Sequence, residues 1–177
     1  MFFIILGIII GSVAILLVTL LIVGHFLPEL YLSEVQHSSA QSPESIWPFL
    51  LDPKAVCYGG KQARSVTVLS EEGEPLRWRE DLGPSKFNVG VVEDSRHERL
   101  VVEGSDSVVP MTMRREFHLQ PSASGTIITI KQRIVIKKGT WHVPIFRIAM
   151  SLGAAKAGVK DYLRRLANKL NERPNLA

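Results

Sequence analysis

Met111–Gly139 reads MTMRREFHLQPSASGTIITIKQRIVIKKG. Met111, Met113, Phe117 and Leu119 alternate with Thr112, Arg114, Glu116 and His118. After a turn over Gln120 to Gly125, Ile128, Ile130, Ile134 and Ile136 repeat the alternation as far as Lys137-Lys138-Gly139. Side chains on a strand point to opposite faces in turn, so this stretch is two neighbouring antiparallel strands with one apolar and one solvated face. Arg115 and Gln132 fall in the apolar phase. Burying a charge is costly unless it is paired, so Arg115 needs an inward partner, or a bulge must turn it to solvent.

Working back from this hairpin, the same period recurs. Val66 and Val68 mark a strand, and Glu71-Glu72-Gly73-Glu74-Pro75 a turn. Leu76, Trp78 and Leu82 alternate with Arg77, Arg79 and Asp81, which puts Glu80 in the apolar phase as a partner in reach of Arg115. Gly83-Pro84-Ser85 turns the chain, and Phe87, Val89 and Val91 share a face. Arg99 to Glu103 is a further strand, closed by a turn at Gly104-Ser105-Asp106-Ser107. Nearer the N-terminus, Tyr31 to Ser38 reads as a short strand. Ser42-Pro43-Glu44 is a helix start: a capping hydroxyl, a proline at the first helical position and an acid at the positive end of the dipole. Pro48 interrupts this helix, Asp52-Pro53 stops it, and Tyr58-Gly59-Gly60 ends the helical region.

Working forward, one long helix is predicted from about Val143 to Asn171. Ile145, Ile148, Leu152, Ala155, Val159, Leu163, Leu166 and Leu170 form its apolar stripe. Lys156, Lys160, Asp161, Arg164, Arg165 and Lys169 lie on the outer side. Gly153-Ala154-Ala155-Lys156-Ala157-Gly158 lets the helix sit close to a sheet or leaves space beneath it.

Met1 to Gly24 contains no Asp, Glu, Lys, Arg or His. As a helix it spans roughly 36 Å at about 1.5 Å per residue, enough for a hydrocarbon core of about 30 Å. With no basic start, too long a core and no small-residue cleavage site, it reads as an uncleaved anchor. Gly7 and Gly11 form a GxxxG that permits close helix–helix contact, although glycine is common in membrane helices. The expected organisation is a transmembrane helix at 1–24, a short linker at 25–30, a folded domain at 31–173 and a tail at 174–177. The first Lys or Arg after the span is Lys54, so the soluble domain is placed outside the cytoplasm on a single-pass membrane protein.

Composition limits the chemistry. One cysteine, Cys57, excludes an intramolecular disulfide and a cysteine-based metal cluster. The net charge is +4 over 177 residues. From Val143 onward seven Lys/Arg oppose Asp161 and Glu172, so that stretch carries +5 and the rest −1. The excess belongs to one element rather than to a nucleic-acid surface. The five histidines (His25, His37, His97, His118, His142) show no metal spacing, Tyr58-Gly59-Gly60-Lys61-Gln62 is not a P-loop, and there is no nucleophile elbow. No cofactor, metal site or enzymatic activity is expected.

The opening Ser42-Pro43-Glu44-Ser45-Ile46-Trp47 and the stop Leu51-Asp52-Pro53 resemble the "S-P-E-x-V-W…D-P" start of the START/Bet v 1-like (SRPBCC, polyketide cyclase/lipid-transport) superfamily. Trp78 with Glu80, Gly125-Thr126 entering the last strand, and the order strand, two short helices, six strands, long helix are similar too. Pro48 and Ala55-Val56-Cys57-Tyr58 depart from the pattern. The resemblance implies an α+β helix-grip fold, a curved antiparallel sheet wrapped around the C-terminal helix with a cavity between them for an apolar or lipid-like ligand. The ligand-binding residues it points to are Trp78, Glu80, Phe87, Val89, Met111, Met113, Arg115, Phe117, Ile130, Gln132, Leu152 and Val159, with Ile134 in the same phase. Arg115 then pairs with Glu80 or grips a ligand carboxylate or phosphate. The same residues also suit a filled core. Two functions stand side by side: a membrane-tethered carrier or sensor of a lipid or other apolar small molecule, and a non-catalytic accessory subunit of a membrane protein complex.

Overall fold

A computed structural model describes residues 1–54, 57–60 and 63–170, with Phe2 described by its backbone alone. In chain order it contains α1 (Phe2–Phe26), β1 (Leu30–Ser39), α2 (Pro43–Leu50), β2 (Ser65–Val68), β3 (Arg77–Asp81), β4 (Lys86–Ser95), β5 (Arg99–Asp106), β6 (Met111–Ser122), β7 (Gly125–Ile136), α3 (Val143–Ser151) and α4 (Ala154–Lys169). The strands form one seven-stranded antiparallel sheet in the order β1-β7-β6-β5-β4-β3-β2. The fold is α+β and helix-grip-like, with α4 lying on the inner face against β1 and β7. The second short helix expected before Gly60, the helix end at Asn171 and the tail at 174–177 touch residues outside those described.

Alternation decides which face is inward. Trp78, Phe87, Phe117, Ile128 and Ile130 are buried and meet Val159, Tyr162, Leu163 and Leu166 of α4. The outer face carries a charge ladder in which Arg99 bridges Glu93 and Glu116 while Arg114 bridges Glu103 and Glu116. Burial opposes ionisation of Glu116, but hydrogen bonds from Arg99 and Arg114 win and hold its carboxyl below the usual range. Ser42 caps α2 by accepting from the Ser45 N–H, as the sequence implied.

Three expectations need correction. β5 does not turn at Gly104 but runs on to Asp106. Gly104 is there because a Cβ would stand 2.7 Å from Cε1 and Cζ of Phe87 on the neighbouring strand. In β4 a bulge shifts the register, with Val91 opposite Val102 and Glu93 opposite Val101, and leaves Val92 exposed. The single long C-terminal helix is two helices. Gly153 takes a left-handed φ of 95°, a conformation glycine adopts without strain, and this ends α3 and redirects the chain into α4. Leu152 at the break is 84% exposed, and α3 turns Val143 and Arg147 inward instead of Ile145.

α1 is long and apolar enough to cross a membrane. Its Thr19 hydroxyl donates to the Ile15 carbonyl one turn earlier. Gly7 and Gly11 have open space where a Cβ would stand. The helix runs two residues past the expected boundary, and the chain beyond it forms a packed corner rather than a free linker. Gly24 lies against Pro144 of α3 so closely that a Cβ would fall 2.6 Å from the proline Cβ. The guanidinium of Arg147, 2% exposed, donates to the carbonyls of His25, Leu27 and Pro28. His25 is in the last turn of α1, Leu27 is its C-cap and Pro28 follows, so one buried cation both meets the negative end of the helix and ties the chain beyond it to the domain. Tyr31 completes the corner by donating to the Arg147 carbonyl at 3.1 Å.

Candidate functional site

Arg115 and Gln132 stand opposite each other on β6 and β7, and both side chains point inward. Arg115 Nε donates to Gln132 Oε1 at 2.8 Å, and Nη2 donates to the same oxygen. Gln132 Nε2 donates to the Ala155 carbonyl at 3.3 Å, which ties the pair to the first turn of α4. The guanidinium carbon lies 4.4 Å from the Tyr58 ring centre and 4.9 Å from that of Tyr162, so two aromatic faces supply part of the solvation it loses. Burial pulls the Arg115 pKa down from its ordinary value, yet an arginine does not lose its proton in a protein.

Glu80 does not pair directly with Arg115. Its carboxylate accepts from the Tyr58 N–H at 2.8 Å, the Gly59 N–H at 2.6 Å and Trp78 Nε1 at 3.1 Å. It acts as a staple that holds the loop carrying Tyr58 against β3. Arg165 fastens the same loop from the other side. It is half-buried rather than solvated, donating from Nη1 to the Cys57 carbonyl at 2.6 Å and from Nε to Asp161 at 3.0 Å. Tyr58 is thereby stacked between Trp78 and Tyr162, with centroid separations of 5.9 and 5.5 Å.

Beside this stack lies a cavity of about 170 Å³, walled by Tyr58, Gly59, Leu82, Phe87, Met111, Met113, Arg115, Gln132, Ile134, Met150, Ala154, Ala155 and Gly158. The wall is largely apolar. Two polar atoms of the residues that wall it, Arg115 Nη1 and Tyr58 Oη, are buried and have no hydrogen-bond partner among the described residues. Burial pushes the Tyr58 hydroxyl well above its ordinary pKa, so it is a neutral donor. Unmet buried donors cost about 1–3 kcal/mol each. Two wider depressions, of about 440 and 420 Å³, lie on the outer face of the sheet along the charge ladder, and their polar groups meet solvent. Among the described residues no three His, Cys, Asp or Glu side chains converge as a metal site would require.

The structure distributes the residues expected from the sequence over three places. Phe87, Met111, Met113, Arg115, Gln132 and Ile134 line the cavity. Trp78 and Glu80 stand behind Tyr58, while Val89, Phe117, Ile130 and Val159 are packed in the core. Leu152 lines nothing, because the break at Gly153 throws it outward. Sequence reasoning missed Tyr58, which sits in a loop and belongs to no periodic pattern. It also missed Met150, while Ala154 and Gly158 belong to the small-residue run that it read as either close packing or space. That run leaves space.

No protein-family model matches the chain, and no curated protein is similar to it. Solved structures with a similar fold exist. The Zhui aromatase/cyclase from Streptomyces sp. R1128 is 12% identical over 79% of this chain and 93% of its own, with a TM-score of 0.63. A structural-genomics protein from Chromobacterium violaceum is 15% identical over 78% of this chain and 96% of its own, with a TM-score of 0.58. The di-domain aromatase/cyclase StfQ from the steffimycin biosynthetic pathway is 12% identical, with a TM-score of 0.59. The likeness covers 77% of this chain and 50% of that one. At these identities the likeness is one of fold.

Proposed function

We propose that this chain is a membrane-tethered binding protein for a small apolar or amphipathic molecule, which it carries or senses. The observation that supports this most is the pair of donors without a partner among the described residues, Arg115 Nη1 and Tyr58 Oη, on two residues that wall an otherwise apolar cavity between sheet and helix. A ligand with one acceptor group, a carboxylate, phosphate or carbonyl oxygen, satisfies both. Gln132 already occupies the Nε–Nη2 edge of Arg115, so the donor left for a ligand is the Nη1 amino group. A volume of about 170 Å³ equals roughly six water molecules at about 30 Å³ each. It holds the polar end of a lipid-like molecule, with the remainder leaving through the mouth beside Ala154 and Gly158.

The tether rests on α1, which has the length and composition of a span. The lack of Lys or Arg between Gly24 and Lys54 favours an extracytoplasmic domain. No catalytic role is part of this reading.

A second reading is favoured by a different observation. Most of the space between sheet and α4 is filled by Trp78, Phe117, Ile130 and Tyr162. On that reading the domain is a non-catalytic accessory of a membrane complex and α1 packs on a partner span through Gly7 and Gly11.

Organic extraction of the detergent-purified full chain, followed by mass spectrometry, separates the two. The binding reading expects one lipid-like molecule near stoichiometry, lost in folded Arg115→Met protein and in Ala154→Phe, which blocks the mouth from a tolerant exposed position. An empty extract from well-folded protein with co-purifying subunits refutes it in favour of the accessory reading.

A further inference from the structure

We infer that α3 and the loop before it form a second membrane contact, seated at the boundary of headgroups and acyl chains beside the end of α1. The inference rests on the proposed tether and says how the binding site meets its ligand. Trp141, Ile145 and Leu152 are 75%, 50% and 84% exposed, and Phe146 is exposed beside them. Between Trp141 and Ala155 the only charged residue is Arg147, and its guanidinium is turned inward onto the last carbonyls of α1. The outward face of α3 is therefore uncharged.

This face is fixed relative to the span. α1 packs on α3, Gly24 meets Pro144, and Arg147 joins the two helices. If α1 is in lipid, α3 is at lipid. The flanking residues fit the same place. The Ile136 N–H donates to the Glu29 carbonyl at 2.8 Å, so exposed Lys137 and Lys138 come directly beside the end of the span, level with phosphates. A tryptophan and a short amphipathic helix with apolar residues outward are the residues and geometry of an interfacial segment. The other side of α3 belongs to the cavity, since Met150 lies in its wall with Ala154. One short helix thus stands between lipid and the binding site.

Tryptophan fluorescence tests this in the full chain reconstituted into vesicles of phosphatidylcholine and phosphatidylglycerol. Trp47 and Trp78 are 4% and 2% exposed inside the domain, so the difference between the native chain and Trp141→Phe isolates Trp141. The expected result is that phosphatidylcholine brominated on its acyl chains removes most of the Trp141 emission while aqueous iodide leaves it. Quenching by iodide without quenching by bromolipid overturns the inference. Shielding from both overturns it too, because it places a second copy or another protein on the face. Flotation of the same vesicles after alkaline washing reads α1 separately. A chain that washes off ends the tether and this contact together. One that stays while Trp141 answers iodide ends only the contact.

Discussion

Replacing Arg147 by methionine tests whether the corner between α1 and the domain is a structural joint. The guanidinium is 2% exposed and donates to three carbonyls, those of His25, Leu27 and Pro28. Hydrogen bonds to charged groups contribute about 1.5–3 kcal/mol each, and a cation at a partly buried helix C-terminus up to about 2 kcal/mol. These do not add, because methionine fills much of the volume and relieves the chain of burying a charge. What methionine leaves behind is three carbonyls without their donor, and an unmet buried polar group costs about 1–3 kcal/mol, so a loss of about 3–4 kcal/mol is expected against a total of about 5–15 kcal/mol. Urea unfolding of the full chain in detergent micelles, followed by the near-ultraviolet signal of buried Trp47 and Trp78, reads it as a lower midpoint at unchanged slope. Arg147→Lys should recover only about 1 kcal/mol, since one ammonium cannot span acceptors spread over His25 to Pro28. A loss under about 1 kcal/mol for the methionine variant, or full recovery with lysine, refutes the three-pronged cap.

Other close contacts carry further expected outcomes. Gly104→Ala should cost about 1–3 kcal/mol through collision with the Phe87 ring, and Phe87→Leu in the same chain should return part of it in a double-mutant cycle. Tyr58→Phe removes a buried hydroxyl without a partner, so the ligand-free protein should keep its stability or gain about 1 kcal/mol by urea titration, while ligand retention falls. Burial raises the folded-state pKa of Tyr58 and Tyr162. Their neutral forms are thus favoured by folding, a contribution present below the unfolded value near 10 and lost as pH rises beyond it. Each should steepen the alkaline loss of stability by about 1.4 kcal/mol per pH unit, and Tyr162→Phe should remove its share, as unfolding series at several alkaline pH values will show.

Much of the sheet is legible because each strand has one wet and one dry face. The three breaks in that pattern, Glu80, Arg115 and Gln132, are all buried polar residues around or behind the cavity. Legibility fails where a residue answers to something distant. Arg147 looks like one more cation in a basic segment until the carbonyls about 120 positions earlier are in place. Tyr58 has no periodic neighbours, and its position comes from Glu80 and Arg165 gripping backbone groups of its loop. The bulge in β4 leaves no compositional mark. Gly153 did leave one, but a small residue inside an apolar stripe reads equally as close packing or as a stop, and only its positive φ decides.

The position of β1 sets the order in which this molecule is made. β1 pairs with β7, and α1 docks on α3, so each waits during synthesis for a partner far along the chain. α1 is complete while Arg147, which donates to the carbonyls at its end, is still untranslated. The sheet closes only once β7 has emerged, a sequence-distant pairing of the kind that forms slowly. Until then β1 has no neighbour at all, and its unpaired backbone edges need shielding during synthesis.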